Sequence, residues 1–493
     1  MRQGPKGGDR RLTLYERVVD FVSEAERGSA DPLALLERSL ANIKRLDPQI
    51  NAFITIDGSA LEDPPRVRGP LLGVPIALKD NIATMGLRTT CASRVLEDFV
   101  PSYDATVTKR LKASGAIVIG KTNMDEFAMG ALGTTSAFGP TRNPLDLSLS
   151  PGGSSSGSAA AVASGMVPVA LGSDTGGSIR LPAAWTLTFG LKPTFGLVSR
   201  YGLVSYGESL EQIGPMAANA KDLALLMSVI AGRDSRDATS LDADLKAEFL
   251  KVAFSEPSPD ALEGLRLAVI RELVEHPQAD EDVIRGFWKA LDELSSEGVK
   301  IDVVECPLVL KAPQIYYVIA FSEASSNLAR YTGVLFGKRV VPLEGSSWDK
   351  VYSRTRALFG WEVRRRIILG AFVLSKGYYD MYFSRALRAR SLLARKIAEI
   401  LARYDAIVSP GSPVRPLPLD FDVTDLSKLN AVDAPLVVAN LSGLPAISFP
   451  IGLSRGAPIS MQLIGPRLSD PRLLEIAKCL TELVYKSAKR WSQ

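Results

Sequence analysis

Short apolar strands alternate with helical segments along much of this chain, and this alternation constrains the fold more than any other feature. Strands joined through helices form a sheet that the helices cover. The alternation begins with an apolar run over residues 70–78 that ends at Lys79. Further predicted strands are 116–120, 167–171, 264–270, 300–304, 406–408 and 446–451, and predicted helices are 105–113, 155–164, 179–184 and 280–296. The sequence therefore predicts an α/β fold.

The ends of the chain differ from this central part. Residues 1–11 are basic and polar, and we expect them to be disordered. Two amphipathic helices are predicted next, with apolar faces formed by Leu14, Val18 and Phe21 and by Leu33, Leu36, Leu40 and Ile43. Asp31 and Pro32 supply an N-cap and a proline at the first position of the second helix. We predict a helical segment over residues 12–65, packed on a main domain over 66–493 that carries a basic helical insertion at about 345–403.

Residue counts exclude several kinds of site. His276 is the only histidine, so a zinc site built on two or three histidines is excluded, and a Ser-His-Asp triad is disfavoured. Cys91, Cys306 and Cys479 lie far apart without metal-ligand spacing, as expected for free thiols in a reducing compartment. The net charge of +4, from 58 basic and 54 acidic residues, is too even to indicate nucleic-acid binding. No secretory signal or membrane span is recognisable, which is typical of a cytoplasmic protein.

Two glycine- and serine-rich segments stand out, over residues 150–159 and 172–180. The first has the composition of a flexible linker but runs directly into a predicted helix, and it lacks the Gly-Lys-Ser/Thr ending of a phosphate-binding loop. The second contains Asp-Thr-Gly, as aspartic proteases do, but their chemistry needs a second copy that the chain lacks. Gly176 and Gly177 allow several backbone N–H groups to converge in front of Ser178, as in an oxyanion hole. A purely structural turn remains the alternative.

Lys79 is the third candidate. Most lysines are solvated at the protein surface, but a lysine at the end of so apolar a strand is expected to be buried. To act as a base near pH 7, its pKa must fall from about 10.4 by roughly three units, which corresponds to about 4 kcal/mol of preference for the neutral form. Burial can provide this preference. Lys79 is therefore a candidate base in a chain with a single histidine.

Lys79, the Gly-Gly-Ser-Ser run over residues 152–155 and the Gly-Gly-Ser-Ile-Arg run over 176–180 together resemble the amidase signature family. The resemblance implies one large fold with a mixed central β-sheet covered on both faces by helices. It also implies a Ser–cis-Ser–Lys triad without a metal: Ser178 is the nucleophile, Lys79 is the base, and Ser154, preceded by a cis peptide bond, bridges them. The implied oxyanion hole consists of the backbone N–H groups of Thr175, Gly176, Gly177 and Ser178.

Later motifs are most similar to one branch of this family, the A subunits of glutamyl- and aspartyl-tRNA amidotransferases, over nearly the whole chain. They include residues 123–130, 196–204, 322–328, 365–370, 377–380 and 440–445. Glutamine, the implied substrate, is a zwitterion that needs an anion for its amino group and a cation for its carboxylate. By resemblance these are Asp433 and Arg366, with Tyr316 contributing. The assignment stays open among Arg364–Arg366 and between Tyr316 and Tyr317.

The resemblance further implies a two-stage reaction. Ser178 attacks the side-chain amide of glutamine, ammonia leaves, and water clears the glutamyl ester. The ammonia passes to a partner subunit, where ATP and Mg²⁺ serve to activate the carboxyl group of Glu or Asp esterified to tRNA. This chain would hold no cofactor and would contact tRNA mainly through the partner. It would form a heterotrimer with a small wrapping subunit and a large subunit that binds tRNA and ATP.

The sequence departs from the family pattern at residues 132–135, at Leu181 and at residues 184–187. These positions adjoin the predicted site, so the finer substrate contacts and the coupling to a partner are open. Two other functions also remain possible at this point: a stand-alone amidase of small or aryl amides, and a catalytically silent scaffold.

Overall fold

The computed structural model describes residues 17–62, 67–340 and 347–491, so the predictions for residues 1–11 and for Leu14 lie outside it. The described strands are β1 Phe53–Ile56, β2 Pro75–Lys79, β3 Ile117–Thr122, β4 Val169–Asp174, β5 Phe189–Lys192, β6 Gln212–Ala217, β7 Arg266–Ile270, β8 Lys300–Val304, β9 Ala406–Pro410, β10 Ala446–Ser454 and β11 Ala457–Ile464. The described helices are α1 Val18–Glu26, α2 Ala34–Ile50, α3 Thr106–Ala113, α4 Ser156–Ala163, α5 Arg180–Thr186, α6 Ala220–Ile230, α7 Lys246–Phe254, α8 Arg271–Val274, α9 Glu281–Ser296, α10 Ala312–Leu328, α11 Trp348–Arg356, α12 Trp361–Leu374, α13 Phe383–Leu401, α14 Leu426–Ser442 and α15 Asp470–Trp491. Across these ranges, no helix is both long and apolar enough to cross a membrane.

The eleven described strands form one mixed sheet in the order β1-β3-β2-β4-β6-β5-β10-β11-β9-β7-β8. Strand β2 runs parallel to β3 and β4, and β7 runs parallel to β8 and β9. The other pairs are antiparallel. The predicted α/β fold with a mixed central sheet is confirmed.

Helices cover both faces of the sheet. Successive residues of a strand point to opposite faces, and in β7 they enter different apolar clusters: Leu267 and Val269 belong to one, and Ala268 and Ile270 to another. The first cluster includes residues of α1, α3, α6, α7, α9 and α15. The second includes residues of α10, α13 and α14. The central strands are therefore buried on both sides.

Several element boundaries differ from the sequence-based predictions. Strand β2 begins at Pro75 rather than at residue 70, because the chain turns at Gly73, whose φ is +74°. Strand β4 runs on to Asp174, beyond its predicted end. Helix α2 begins at Ala34, and Asp31 caps the preceding turn by accepting a hydrogen bond from the Leu33 N–H at 2.9 Å. The basic insertion predicted to be helical at about residues 345–403 contains α11, α12 and α13.

Helices α10 and α12 approach each other closely at one glycine. A Cβ atom on Gly370 of α12 would lie 1.9 Å from the carbonyl oxygen of Phe321 and 2.8 Å from the Cβ atom of Ser325, both on α10. Backbone atoms cannot move aside as a side chain can. The two helices therefore pack as one unit at a distance that only glycine permits.

We expect Gly370→Ala to destabilise the protein by about 1–3 kcal/mol, because overpacking outweighs the better helix propensity of alanine. Differential scanning calorimetry would show this as a lowered Tm. Gly58→Ala is the matched control, since no atom of a described residue lies within 4 Å of its added Cβ atom and its φ is −97°. Equal Tm values for the two variants would contradict the close crossing.

Candidate active site

Lys79 lies at the C-terminal end of β2 and is completely buried. Its Nζ atom donates to the hydroxyl oxygens of Ser154 at 2.7 Å and Ser155 at 2.9 Å, and to the carbonyl oxygen of Ser173 at 3.1 Å. These contacts join the end of β2 to the first glycine-rich segment and to β4. The end of strand β2 thus places the lysine side chain beside the buried hydroxyl groups of Ser154 and Ser155.

Burial lowers the pKa of Lys79 to about 7, and the charges of Asp125, Asp174 and Glu211 oppose this shift only in part. Desolvation disfavours the charged form of any amine that is removed from water. A substantial fraction of the lysine is therefore neutral at pH 7, which is the condition that a base at this position requires.

The first glycine-rich segment is packed structure rather than a linker. Residues 150–165 are all buried, and α4 begins within the segment at Ser156. The peptide bond between Gly153 and Ser154 is cis, as the family resemblance implies. The backbone N–H of Ser155 donates to the carbonyl oxygen of Ser178 at 3.0 Å. The two glycine-rich segments therefore lie side by side.

The second segment forms a turn between β4 and α5. Gly177 has a φ of +116°, and its N–H donates to Oδ1 of Asp174 at 2.8 Å. Within the described parts of the chain, the N–H groups of Gly176 and Ser178 have no acceptor, and the buried hydroxyl of Thr175 has no partner. The structure thus brings together the four residues predicted for an oxyanion hole, but the N–H of Gly177 is already engaged.

A buried ion pair holds this turn in place. Arg180 donates to Asp174 through Nε at 3.0 Å and through a terminal nitrogen at 3.0 Å, and it also donates to Asn440 at 2.7 Å and Gln462 at 2.6 Å. Burial would raise the pKa of Asp174, but the Arg180 charge holds it well below its usual range. This network was not predicted from the sequence. The opposite charges of Asp174 and Arg180 within one motif were a usable signal, whereas nothing local linked Asn440 or Gln462 to them.

The predicted substrate-binding residues lie in one pocket with the second segment. Its lining includes Ser178, Tyr316, Tyr317, Arg366 and Asp433. Both tyrosines line the pocket, so the lining alone does not choose between them as the substrate contact.

Among the three consecutive arginines, the structure selects one for the pocket. Arg366 lines it and is buried, whereas Arg364 is exposed and Arg365 is only partly buried. Arg366 donates to Glu362 at 2.7 Å and to the Tyr206 hydroxyl at 2.7 Å. Its guanidinium carbon also lies 5.3 Å from the centre of the Tyr206 ring. Glu362 and Tyr206, which the sequence analysis did not identify, therefore fix its orientation.

Asp433 is the only acidic side chain in the described lining of this pocket. Burial raises its pKa to about 6, although a hydrogen bond from the Tyr317 hydroxyl and the charge of Arg366 favour the ionised form. At pH 7 the carboxylate is mostly ionised. The pocket therefore holds an anion and a cation on separate helices, α14 and α12.

Four of the positions that depart from the family pattern lie in one apolar cluster. Leu132, Leu181, Ala184 and Trp185 belong to the same buried group, which also contains Leu436. Leu181 and Leu436 line the pocket as well. The departures therefore change the apolar support of the pocket and leave Lys79, Ser154 and Ser178 in place.

In the part of the chain that the structure describes, no cluster of three or more His, Cys, Asp or Glu side chains could hold a metal ion.

The fold, the buried lysine and the adjoining serine-rich loops together define an α/β enzyme of the amidase class. A family model described as Amidase matches residues 34–474. The chain belongs to this family.

Named relatives narrow the similarity to one branch. The A subunit of glutamyl-tRNA(Gln) amidotransferase from Sulfolobus acidocaldarius is 48% identical over 473 residues, which is 94% of this chain and 98% of the relative. The Thermotoga maritima protein of that name is 45% identical over 472 residues, covering 96% and 95%. The crystal structure of the Thermotoga maritima A subunit matches with a TM-score of 0.79 at 41% identity, covering 96% and 95% of the two chains. The native peptide amidase of Stenotrophomonas maltophilia matches with a TM-score of 0.78 at 29% identity, covering 96% and 98%.

The buried position of Lys79 should reduce stability in a pH-dependent way. Its folded pKa of about 7 lies below the ordinary value of 10.5, so stability rises as pH increases between these values. The cost is roughly 4 kcal/mol at pH 7 and about 2 kcal/mol at pH 9. We therefore expect Lys79→Met to be inactive yet to melt at a higher temperature than the wild type at pH 7, with a smaller advantage at pH 9.

Thermal unfolding at the two pH values measures this effect. Lys109→Met, at an exposed lysine of α3, is the control and should follow the wild type at both. A Lys79→Met protein less stable than the wild type at both pH values would refute the costly burial of the amine.

Proposed function

We propose that this protein is the glutamine-hydrolysing subunit of a tRNA-dependent amidotransferase. The observation that carries the proposal is the pairing of Asp433 and Arg366 in the pocket that Ser178 lines. A free amino acid carries one cation and one anion, and this pocket offers a counter-charge for each. The names of the relatives, A subunits of glutamyl-tRNA(Gln) amidotransferase, support the same assignment.

We assign the hydrolytic chemistry to Ser178, Ser154 and Lys79. Neutral Lys79 takes a proton from Ser154, which takes one from Ser178 as its Oγ atom attacks the side-chain amide carbon of glutamine. The 2.7 Å hydrogen bond between Lys79 and Ser154 supports the first transfer. The relay returns the proton to the leaving nitrogen, so ammonia departs and a glutamyl ester remains on Ser178. Water then attacks the ester by the same route and releases glutamate.

The oxyanion that forms during each attack needs hydrogen-bond donors that have no other acceptor. The N–H groups of Gly176 and Ser178 meet this requirement in the described chain. We assign the oxyanion to these two donors. The N–H of Gly177 donates to Asp174, so we give this residue the role of setting the turn. Thr175 contributes its position next to the two donors.

In this proposal the ammonia passes to a partner subunit instead of being released into solution. A partner subunit uses it to convert Glu-tRNA(Gln), Asp-tRNA(Asn) or both, with ATP and Mg²⁺ bound on that partner. The complex is a heterotrimer with a small wrapping subunit and a large subunit that binds tRNA and ATP, and it works in the cytoplasm. The chain itself holds no cofactor and contacts tRNA mainly through the large subunit.

The pocket argues against the alternative of an amidase for small or aryl amides. Such a substrate carries no charge for Asp433 or Arg366, and burying charged side chains against an uncharged ligand costs binding energy. The buried Lys79 with its lowered pKa likewise argues against a catalytically silent scaffold, because it reduces stability without a structural benefit.

The pairing of Asp433 with Arg366 predicts selective losses of activity. Asp433→Asn and Arg366→Met should each raise KM for glutamine about a hundred-fold, because a buried charge-assisted contact is worth several kcal/mol. Hydrolysis of a short aliphatic primary amide should change only a few-fold. Arg365→Met is the matched control: this arginine also pairs with Glu362, at 2.7 Å, but does not line the pocket. Ammonia release by the assembled complex is the measurement.

Two results would contradict the proposal in different ways. Equal losses for glutamine and for the neutral amide would show that Asp433 and Arg366 do not recognise a zwitterion. Normal turnover of both substrates by Ser178→Ala would show that the nucleophile is another residue.

The pKa values of the two buried groups predict the pH profile. As pH falls, Lys79 becomes protonated near pH 7 and can no longer accept a proton, and Asp433 becomes neutral near pH 6 and no longer binds an ammonium group. We expect kcat/KM for glutamine to fall with two proton-linked steps and kcat/KM for the neutral amide to fall with only the step near pH 7. Persistence of the lower step in Asp433→Asn would show that another group causes it.

A further inference from the structure

A cluster of large apolar side chains is exposed at the junction of α12 and α13. We call it the tyrosine patch, and its members are Ile368, Phe372, Tyr378, Tyr379, Met381 and Tyr382. Their exposed fractions range from 39% for Tyr382 to 68% for Ile368. Single exposed apolar residues are ordinary, but a contiguous group of this kind marks an interaction surface.

The fold of this chain does not require the tyrosine patch. On α12, Val363 packs in a buried cluster and Ile367 packs against it, whereas Ile368 and Phe372 point away from it. Three aromatic rings of the patch pack on one another: the Phe372 and Tyr378 centres are 4.3 Å apart, and those of Tyr378 and Tyr382 are 6.1 Å apart. The patch is therefore a preformed surface with no partner in the described chain.

An unpaired basic row continues from the patch along α13. Arg385, Arg388 and Arg395 form no ion pair with any described residue. They span about 15 Å of helix. Residues 348–401 contain 12 Arg and Lys against 4 Asp and Glu, a net charge of +8 in a chain whose net charge is +4. The surface beside the patch is therefore complementary to a row of carboxylates.

The composition of this surface favours a protein over a nucleic acid. Tyrosine, phenylalanine, methionine and arginine are the residues enriched at protein–protein interfaces. Nucleic-acid binding by stacking needs open ring faces, but Phe372, Tyr378 and Tyr382 lie against each other. The aliphatic side chains of Ile368 and Met381 offer nothing for bases to stack on.

We infer that the tyrosine patch and the arginine row of α13 dock a partner protein whose contact surface is apolar at its centre and acidic at its edge. This inference goes beyond glutamine hydrolysis and uses the proposed function only to name the partner, another subunit of the amidotransferase. Helix α12 carries Ile368 and Phe372 on this surface and Arg366 in the substrate pocket. Docking therefore takes place on a helix that also binds substrate.

Binding of this chain to its separately purified partner subunits tests the inference. We expect Tyr378→Ala/Tyr382→Ala to weaken binding about ten-fold or more, as loss of central aromatic contacts does. Arg385→Glu/Arg388→Glu should also weaken binding, more strongly at low salt than at high salt. Phe254→Ala and Lys109→Glu change an exposed aromatic and an exposed lysine on helices of the other sheet face, and both should bind like the wild type. Since all these positions are exposed, Tm should stay near the wild-type value.

The inference would be overturned if Tyr378→Ala/Tyr382→Ala and Arg385→Glu/Arg388→Glu both bound the partner subunits with wild-type affinity. It would also be overturned by an Arg385→Glu/Arg388→Glu protein that loses affinity for a tRNA transcript but keeps its affinity for the partner subunits, because the row would then be a nucleic-acid site. The Ser178→Ala chain separates this inference from the proposed function, since it should bind the partners normally. If the wild-type complex assembles through the patch but releases no ammonia from glutamine, the proposed function fails and the docking surface stands.

Discussion

The carboxylate of Asp174 is the contact on which the rest of the site depends. It sits at the end of β4, completely buried, where it accepts hydrogen bonds from the N–H groups of Gly177 and Ile179 and from Arg180 and Asn440. An unpaired charge at this depth would cost several kcal/mol, so the turn must keep the geometry that supplies these donors. That geometry places Ser178 at the pocket. Among the described residues, it leaves the N–H groups of Gly176 and Ser178 without acceptors.

The buried charges that line the pocket are also paired with specific neighbours. Arg366 is paired with Glu362 and held by Tyr206, and Asp433 accepts a hydrogen bond from Tyr317. Lys79 differs, because its contacts are neutral oxygens and no carboxylate of a described residue pairs with it directly. Partnered charges stay charged and can recognise a zwitterion, whereas the unpartnered lysine tends to lose its proton. The neighbours of each group thus fit the roles proposed for them, with Asp433 and Arg366 recognising the substrate and Lys79 acting as the base.

Local patterns in the sequence predicted the parts of the fold and site that local physics determines. The apolar run before Lys79 predicted both strand β2 and the burial of its last residue. The contact between Lys79 and Ser154 was implied only by the resemblance of the serine motifs to the amidase signature family. Strand β11 was missed because Pro458, Ser460 and Gln462 interrupt its apolar pattern, although the interior of the sheet buries all of them. The contacts of Arg180 with Asn440 and Gln462 join positions more than 250 residues apart. No local pattern encodes such contacts, so only the folded chain reveals them.

Helix α12 joins the substrate pocket to the outer surface. Its packing against α10 at Gly370 leaves no room for the two helices to slide independently. Tyr316 and Tyr317 lie on α10 and Arg366 lies on α12, so these three pocket residues belong to one rigid pair of helices. A protein bound to the tyrosine patch would therefore contact the pair of helices that, under the proposed function, binds the carboxylate end of the substrate. Under the proposed function, in which the ammonia goes to a partner subunit, this arrangement would make retention of glutamine responsive to the presence of that partner, because both depend on the position of the same helix.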